Sequence, residues 1–173
     1  MKKVLAALIL IVMVITAVVV GTVLADPTNF VAHLSGGEEV PAVDTRAQGQ
    51  AIFHLRGDEL EFKLIASNIV DVLQAHIHCG AAGVNGPVVA FLYPAAPPAV
   101  LIPGRSNGIL SEGVITNANI IPRPDSPACP GGVADFDDLL TKMESGDAYV
   151  NVHTVAYPGG EIRSQVRLAG RPR

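Results

Sequence analysis

The sequence predicts an all-β, antiparallel fold with one short helix. Runs of alternating apolar and polar residues recur between positions 30 and 168, separated by clusters of glycine, proline, asparagine and aspartate, a pattern typical of a sandwich or barrel. Only residues 135–145 combine helical spacing with helix-end signals. We found no internal repeat.

The N-terminal segment is predicted to direct export. A positively charged start is followed by an apolar stretch from Val4 to Leu24 and by small residues ahead of Asp26, the order typical of a secretory signal peptide. We therefore expect residues 1–25 to be a signal peptide and residues 26–173 to form a single domain, secreted or held in the cell envelope. The alternative is an uncleaved anchor, because about 20 apolar residues can span a bilayer; only then would the membrane be a partner.

The composition of the expected mature chain excludes some partners. Without residues 1–25 the chain has 148 residues, and 10 basic and 16 acidic side chains give a formal net charge of −6. This charge argues against nucleic acid and against electrostatic attachment to anionic lipid. The length suits one domain with a single core, which must be mainly aliphatic because tryptophan is absent.

The alternation places individual strands and turns. Strands are predicted at 30–35, 50–56, 60–66, 73–78, 88–93, 108–116, 148–153 and 162–168. The turn at 56–59 joins the second and third strands into a hairpin with one face exposed to solvent. Residues 94–104 contain four prolines and are not expected to pair as a central strand. Asp135 is the expected N-cap of the helix and Gly146 its end.

The two cysteines are expected to pair. An exported protein meets an oxidising environment, so a Cys79–Cys129 disulfide is the default, and it would close a loop of about 50 residues. The alternative is a Cys79 thiolate that binds a metal beside His78.

Three histidines form a candidate metal site. Side chains two apart on a strand point to the same face, so His76 and His78 project together and make half a site for Zn²⁺ or Cu²⁺. His153 ends another strand, and if the two strands are neighbours, three imidazoles converge. The alternative is a structural hydrogen-bond cluster without a metal.

Other polar residues have two interpretations each. Glu161, which precedes a strand beside Arg163, could orient an imidazole or bind a metal, or it could form an ordinary cross-strand ion pair. Glu39 could approach the histidines, or it could belong to an acidic loop. His33 and His54 lie on outward faces of early strands and are expected at the surface.

Enzymatic signatures are weak, and we predict no catalytic residues. Neither Ser35 nor Ser145 lies in the strand–turn–helix setting of a nucleophile elbow. No glycine-rich loop joins a strand to a helix as in a phosphate site. The adjacent acids Asp137 and Asp138 are explained by a helix N-terminus.

Three motifs resemble those of the CHRD (chordin-type) domain family. Residues 33–41 (HLSGGEEVP) resemble its opening motif, and residues 75–80 (AHIHCG) with the later GPV resemble its central one. Residues 149–154 (YVNVHT) and 158–163 (PGGEIR) resemble its closing motif. Two mild departures are Ala42, where a second proline is frequent, and Ser164, where glycine is usual.

The resemblance implies an extracellular, immunoglobulin-like or superoxide-dismutase-like sandwich. The family takes its name from chordin, which binds growth-factor ligands, and stand-alone prokaryotic members follow a signal peptide. The family's recurring histidines fall on His76, His78 and His153. The dinuclear centre of copper-zinc superoxide dismutase needs six histidines and an aspartate, whereas this chain has five histidines, which leaves room only for a lone copper site.

These observations favour a secreted, non-catalytic CHRD binding module with an extracellular protein or matrix partner. The alternative is a mononuclear Cu or Zn protein that uses His76, His78 and His153, with redox activity as a further option.

Overall fold

A computed structural model of the protein describes residues 29–170. Within that range it contains eight strands, one α-helix and two short 3-10 turns. The strands are β1 (Asn29–Ser35), β2 (Gln48–Arg56), β3 (Glu59–Cys79), β4 (Val88–Tyr93), β5 (Ile102–Ile115), β6 (Ala148–Thr154), β7 (Ile162–Gln165) and β8 (Arg167–Leu168); the helix is α1 (Phe136–Ser145) and the 3-10 turns are Gly36–Glu38 and Asn117–Asn119. The predicted signal peptide lies outside the described residues. In the part that is described, neither length nor apolarity allows any helix to cross a bilayer.

Antiparallel pairing joins the strands into one network that closes on itself. The order is β2-β1-β7-β6-β3-β4, with β5 beside β3 and β8 beside β1. The first half of β3 also pairs with β2, and its second half pairs with β6. The prediction of an all-β, barrel- or sandwich-like fold with one short helix is therefore confirmed.

Strand β3 is longer than expected. The two strands predicted at 60–66 and 73–78 are one strand of 21 residues, interrupted by irregularities in its register with β5. Asn68 and Asp71 adopt left-handed φ angles of 57° and 54°, which these residue types tolerate. The prediction of two separate strands was wrong, because the turn-forming residues bend the strand instead of ending it. The bend lets β3 contribute to both sides of the closed network.

The inward-facing residues predicted from alternation form the core. Fully or almost fully buried members from the strands include Phe30, Ala32, Leu34, Ala51, Phe53, Leu60, Leu64, Ala75, Ile77, Val150, Val152 and Ile162. Helix α1 adds Leu139 and Met143. It begins as predicted at Asp135, whose side chain accepts a hydrogen bond from the Asp138 N–H, and ends at Gly146 with a φ of 82°.

The predicted disulfide is present. Cys79 at the end of β3 is bonded to Cys129 in the loop before α1, with Cα atoms 5.4 Å apart. Both residues are buried. The alternative role of Cys79 as a thiolate metal ligand is therefore wrong. The bond fixes the end of β3 immediately after His78.

Candidate metal centre

Strand register brings the polar residues of β3, β6 and β7 together. His76 pairs with Asn151 and His78 with Tyr149 across the β3–β6 ladder, and Asn151 pairs with Arg163 across β6–β7. Directly opposed residues of antiparallel strands share a face. This face is shielded from solvent, because all these side chains are buried. We call His76, His78, Tyr149, Asn151, His153 and Arg163 the polar layer.

Sequence patterns identified only half of the polar layer. They did not indicate Tyr149 and Asn151, and they placed Arg163 on an outward face, yet Arg163 is 1% exposed. A signal was available: β6 carries no acidic residue, lysine or arginine, and a strand without such charges on either face is typically buried on both. Every residue of β6 is indeed buried.

The three predicted ligands converge. Strands β3 and β6 are neighbours, and one ring nitrogen from each of His76, His78 and His153 lies within 4.8 Å of those of the other two. Donor atoms about 2.1 Å from a common ion lie at most about 4.2 Å apart, so the cluster is wider than a closed metal site. The three residues are only 3%, 9% and 7% exposed.

Backbone carbonyls set the orientation of two rings. Nδ1 of His78 donates to the carbonyl oxygen of Gly86 at 2.9 Å, and Nδ1 of His153 donates to that of Pro158 at 3.0 Å. A carbonyl oxygen only accepts, so each Nδ1 carries the proton and each Nε2 carries a lone pair. Ligand histidines in metal sites are commonly held in this way through their second nitrogen.

His76 completes the cluster with a bond to another histidine. Its Nδ1 lies 3.2 Å from Nε2 of His153. Since Nε2 of His153 is an acceptor, Nδ1 of His76 must donate, and Nε2 of His76 carries a lone pair. Within residues 29–170, the buried Nε2 atoms of His76 and His78 have no hydrogen-bond partner. The cluster thus presents two unused, buried lone pairs.

Burial keeps the imidazoles neutral. It lowers the pKa of His76 to about 3, and the charges that His153 and His78 would carry lower it further. Burial lowers the pKa of His78 to about 4, against the opposing effect of the Gly86 hydrogen bond. It also lowers the pKa of His153. Neutral imidazole is the form that binds metal ions.

Aromatic rings enclose the cluster. Phe91 of β4 meets His76 edge-on with ring centroids 4.8 Å apart, and Tyr149 stacks on His78 at 4.7 Å. The guanidinium of Arg163 also packs on the Tyr149 ring, 3.6 Å from its centroid. The histidines therefore pack against aromatic rings, with one buried cation nearby.

A family model for the CHRD domain matches residues 30–166. The chain belongs to the CHRD domain family. Comparison with curated proteins and with solved structures found no match. The family resemblance seen in the three motifs is thus confirmed, and two of those motifs supply the whole polar layer of this CHRD domain: the central motif carries His76 and His78, and the closing motif carries the other four residues.

Loops of the CHRD domain hold the polar layer in place. Arg163 donates to the carbonyl oxygen of Val84 at 2.8 Å and to Oδ1 of Asn85 at 2.9 Å. These bonds secure the loop whose next residue, Gly86, accepts from His78. A Cβ at Gly86 would collide with the carbonyl oxygen of Cys79, so this close approach requires glycine.

The two predicted carboxylates lie near the cluster but bond to other groups. Both oxygens of Glu161 accept from threonine hydroxyls at 2.7 Å, those of Thr45 and Thr154. The carboxyl group of Glu39 accepts from Nδ2 of Asn151 at 3.0 and 3.1 Å. Burial raises the pKa of Glu39 to about 7, although the charge of Arg163 and the Asn151 hydrogen bond oppose the shift.

The remaining histidines are separate from the cluster. His33 and His54 are exposed on β1 and β2, as predicted, and His54 hydrogen-bonds to the side chain of Asn29 at 2.7 Å. They supply matched surface controls for experiments on the candidate metal centre.

Proposed function

We propose that this CHRD protein binds one transition-metal ion, copper or zinc, through His76, His78 and His153, and that its role is binding and not catalysis. The observation that supports this is the pair of unpartnered Nε2 atoms buried in the cluster. Buried polar groups in native proteins nearly always have partners. A metal ion bound through these Nε2 atoms would supply the missing partner to both.

The donor set suits copper and zinc. Imidazole nitrogen is a good ligand for both ions, whereas Mg²⁺ and Ca²⁺ require oxygen ligands. The carbonyl groups of Gly86 and Pro158 favour Nε2 ligation by His78 and His153. For His153 to use Nε2, a metal ion must displace the hydrogen bond from His76.

Metal analysis of the full-length protein tests this proposal. Protein purified without chelator is loaded with Zn²⁺, with Cu²⁺ or, under anaerobic conditions, with Cu(I), freed of excess ion and analysed by mass spectrometry. We expect one ion per chain, lost in His78→Asn and His153→Asn and retained in the controls His33→Asn and His54→Asn. Absence of bound metal after loading, or equal retention in all four variants, would contradict the proposal.

A second candidate function is the binding of an extracellular protein or matrix component. Large apolar side chains are exposed on the paired strands β3 and β5, with Ile109 57%, Val114 45% and Val70 38% exposed. Exposed apolar surface of this kind is found at interaction sites. If this surface binds a partner, Ile109→Ser and Val114→Ser should weaken retention of the protein on extracellular matrix, and His33→Asn should not.

The proposal extends to the location and the finer fold of the protein. We infer that residues 1–25 are removed during export, that residues 26–173 form one domain in the extracellular space or envelope, and that this domain is an immunoglobulin-like or superoxide-dismutase-like sandwich. The buried disulfide supports export, because such bonds persist in oxidising compartments. N-terminal sequencing of the exported protein should begin at Asp26; a start at Met1 would contradict cleavage.

A further inference from the structure

The ligands of the candidate metal centre bring no negative charge to it. All three are neutral imidazoles, and the two nearby carboxylates identified from the sequence bond elsewhere. Glu39 bonds to Asn151, and Glu161 bonds to Thr45 and Thr154. A divalent ion held by the three histidines would therefore keep its full charge of two.

The surroundings make that charge costly. The desolvation cost of an ion in a low-dielectric site grows with the square of its charge, and Phe91 and Tyr149 line this site. Arg163 adds a buried cation: its hydrogen-bond acceptors are the neutral oxygens of Val84, Asn85 and Gln165, and the carboxyl group that interacts with its charge, that of Glu39, is partly protonated near neutral pH because burial raises its pKa to about 7. Repulsion from this guanidinium is twice as large for a divalent ion as for a monovalent one.

The cluster also offers only a small number of ligands. Zn²⁺ in proteins normally has four ligands, water completing the set where only three come from the protein, and Cu²⁺ prefers a tetragonal arrangement of nitrogen and oxygen. The Nε2 atoms of His76 and His78 are buried from bulk solvent, which limits the entry of further water ligands. Monovalent copper has a filled d shell and is satisfied by two or three nitrogen ligands.

We infer that the site selects monovalent copper, Cu(I), over Zn²⁺ and Cu²⁺, because its neutral ligands, apolar walls and neighbouring Arg163 all favour the ion of lower charge. This inference rests on the proposed function and specifies the ion that the site takes. Stronger binding of Cu(I) than of Cu²⁺ raises the reduction potential of the bound copper by about 59 mV for each tenfold difference in affinity.

Parallel competition titrations of the full-length protein test the inference. Cu(I) is titrated anaerobically against bicinchoninate, and Zn²⁺ and Cu²⁺ are titrated against chelators of known affinity. We expect Cu(I) to bind one per chain and at least a hundredfold more tightly than either divalent ion. If Zn²⁺ or Cu²⁺ binds as tightly as Cu(I), the inference is overturned and the proposed function stands. If none of the three ions binds, both fail.

Two variants of Arg163 test the electrostatic cause. Arg163→Gln removes the buried charge, whereas Arg163→Lys keeps it and loses the forked hydrogen bonds. In variants whose circular dichroism matches that of the wild type, Arg163→Gln should reduce the preference for Cu(I) over Zn²⁺ at least threefold, and Arg163→Lys should keep it. The same charge change at exposed Arg105 should leave the preference unchanged. An equal loss in Arg163→Gln and Arg105→Gln would contradict a role for the buried charge.

Discussion

His76 donates a hydrogen bond from Nδ1 to Nε2 of His153 across 3.2 Å, although the two residues lie 77 positions apart in the sequence. The direction of this bond follows from the Pro158 carbonyl group, which occupies the other nitrogen of His153. The bond occupies the lone pair of His153 and leaves that of His76 free. A metal ion that binds all three rings must therefore compete with a hydrogen bond already present in the cluster.

Replacement of His76 by phenylalanine should separate stability from metal binding. The variant removes a buried nitrogen that has no partner among residues 29–170, but it also removes the donor to Nε2 of His153 and leaves that buried nitrogen unpaired, so the free energy of unfolding of the metal-free protein should fall by about 1–3 kcal/mol. The stabilisation by bound metal, about 2.7 kcal/mol at a free ion concentration of 100 times Kd, should disappear. Urea unfolding with and without metal measures both quantities, and His33→Phe is the surface control. A metal-dependent gain that survives in His76→Phe would contradict the assignment of this ligand.

Gly160→Ala should destabilise the loop that covers the polar layer. Gly160 has a φ of +129°, and a Cβ there would lie 2.5 Å from Nδ2 of Asn151 and 2.8 Å from Oε1 of Glu39. Strain and overlap together should cost about 2–4 kcal/mol. A Cβ at the neighbouring Gly159 would meet no atom within 4 Å, so Gly159→Ala should change stability by less than about 0.5 kcal/mol. Thermal unfolding of both variants measures the difference, and equal melting temperatures would contradict close packing around Gly160.

The histidine-bearing strands could be predicted from alternation, whereas their pairing was only a condition of the metal-site hypothesis and is shown by the structure. Period-two patterns at 73–78 and 148–153 defined the strands, and the resemblance to CHRD motifs placed their histidines in one family-wide set. The same alternation identified Phe30, Phe53 and Ile77 as core residues.

The rest of the polar layer depends on tertiary structure that local patterns do not contain. Arg163 looks like an outward residue of an exposed strand, yet the loop containing Val84 and Asn85 covers it and its guanidinium packs on Tyr149. Asn68 and Asp71 are turn formers by type, yet β5 pairs beside them and keeps β3 continuous. In each case a contact distant in sequence overrode the local preference.

Loss of the disulfide should destabilise the domain strongly. Cys79 and Cys129 are separated by 50 positions, and closing a loop of this length restricts the unfolded chain by about 4 kcal/mol in the chain-entropy model. The double variant Cys79→Ala, Cys129→Ala should therefore lower the free energy of unfolding by about that amount. Unfolding of the wild type in the presence of a reductant should show a similar loss, and the reductant should have no effect on the double variant. A reductant effect of less than about 1 kcal/mol on the wild type would contradict a stabilising role.

The stability of the metal-free protein should respond to pH through two opposing sets of groups. The pKa values of His76 and His78, about 3 and 4 when folded, rise to about 6.5 on unfolding. The unfolded chain therefore takes up more protons below pH 6.5, and the stability present above that pH is lost as pH falls. Glu39 acts in the opposite direction: its pKa is about 7 when folded and 4.5 in its ordinary state, so its contribution is complete below pH 4.5 and is lost as pH rises to 7.

Glu39→Gln should reveal that Glu39 and the histidines change the free energy of unfolding in opposite directions as pH rises. Between pH 4.5 and 6.5 the histidines exchange more protons than Glu39, so wild-type stability should rise with pH, and it should rise more steeply in Glu39→Gln. The slopes should differ by up to about 1.4 kcal/mol per pH unit, the value for one proton, and the difference should vanish above pH 8. Urea unfolding at half-unit pH intervals, with chelator present, measures the slopes. Glu38→Gln removes a carboxyl group from an exposed neighbour and should parallel the wild type. Parallel curves for Glu39→Gln and wild type would mean that Glu39 is ionised in the folded protein at pH 6, and that the charge of Arg163 outweighs the burial of the carboxyl group.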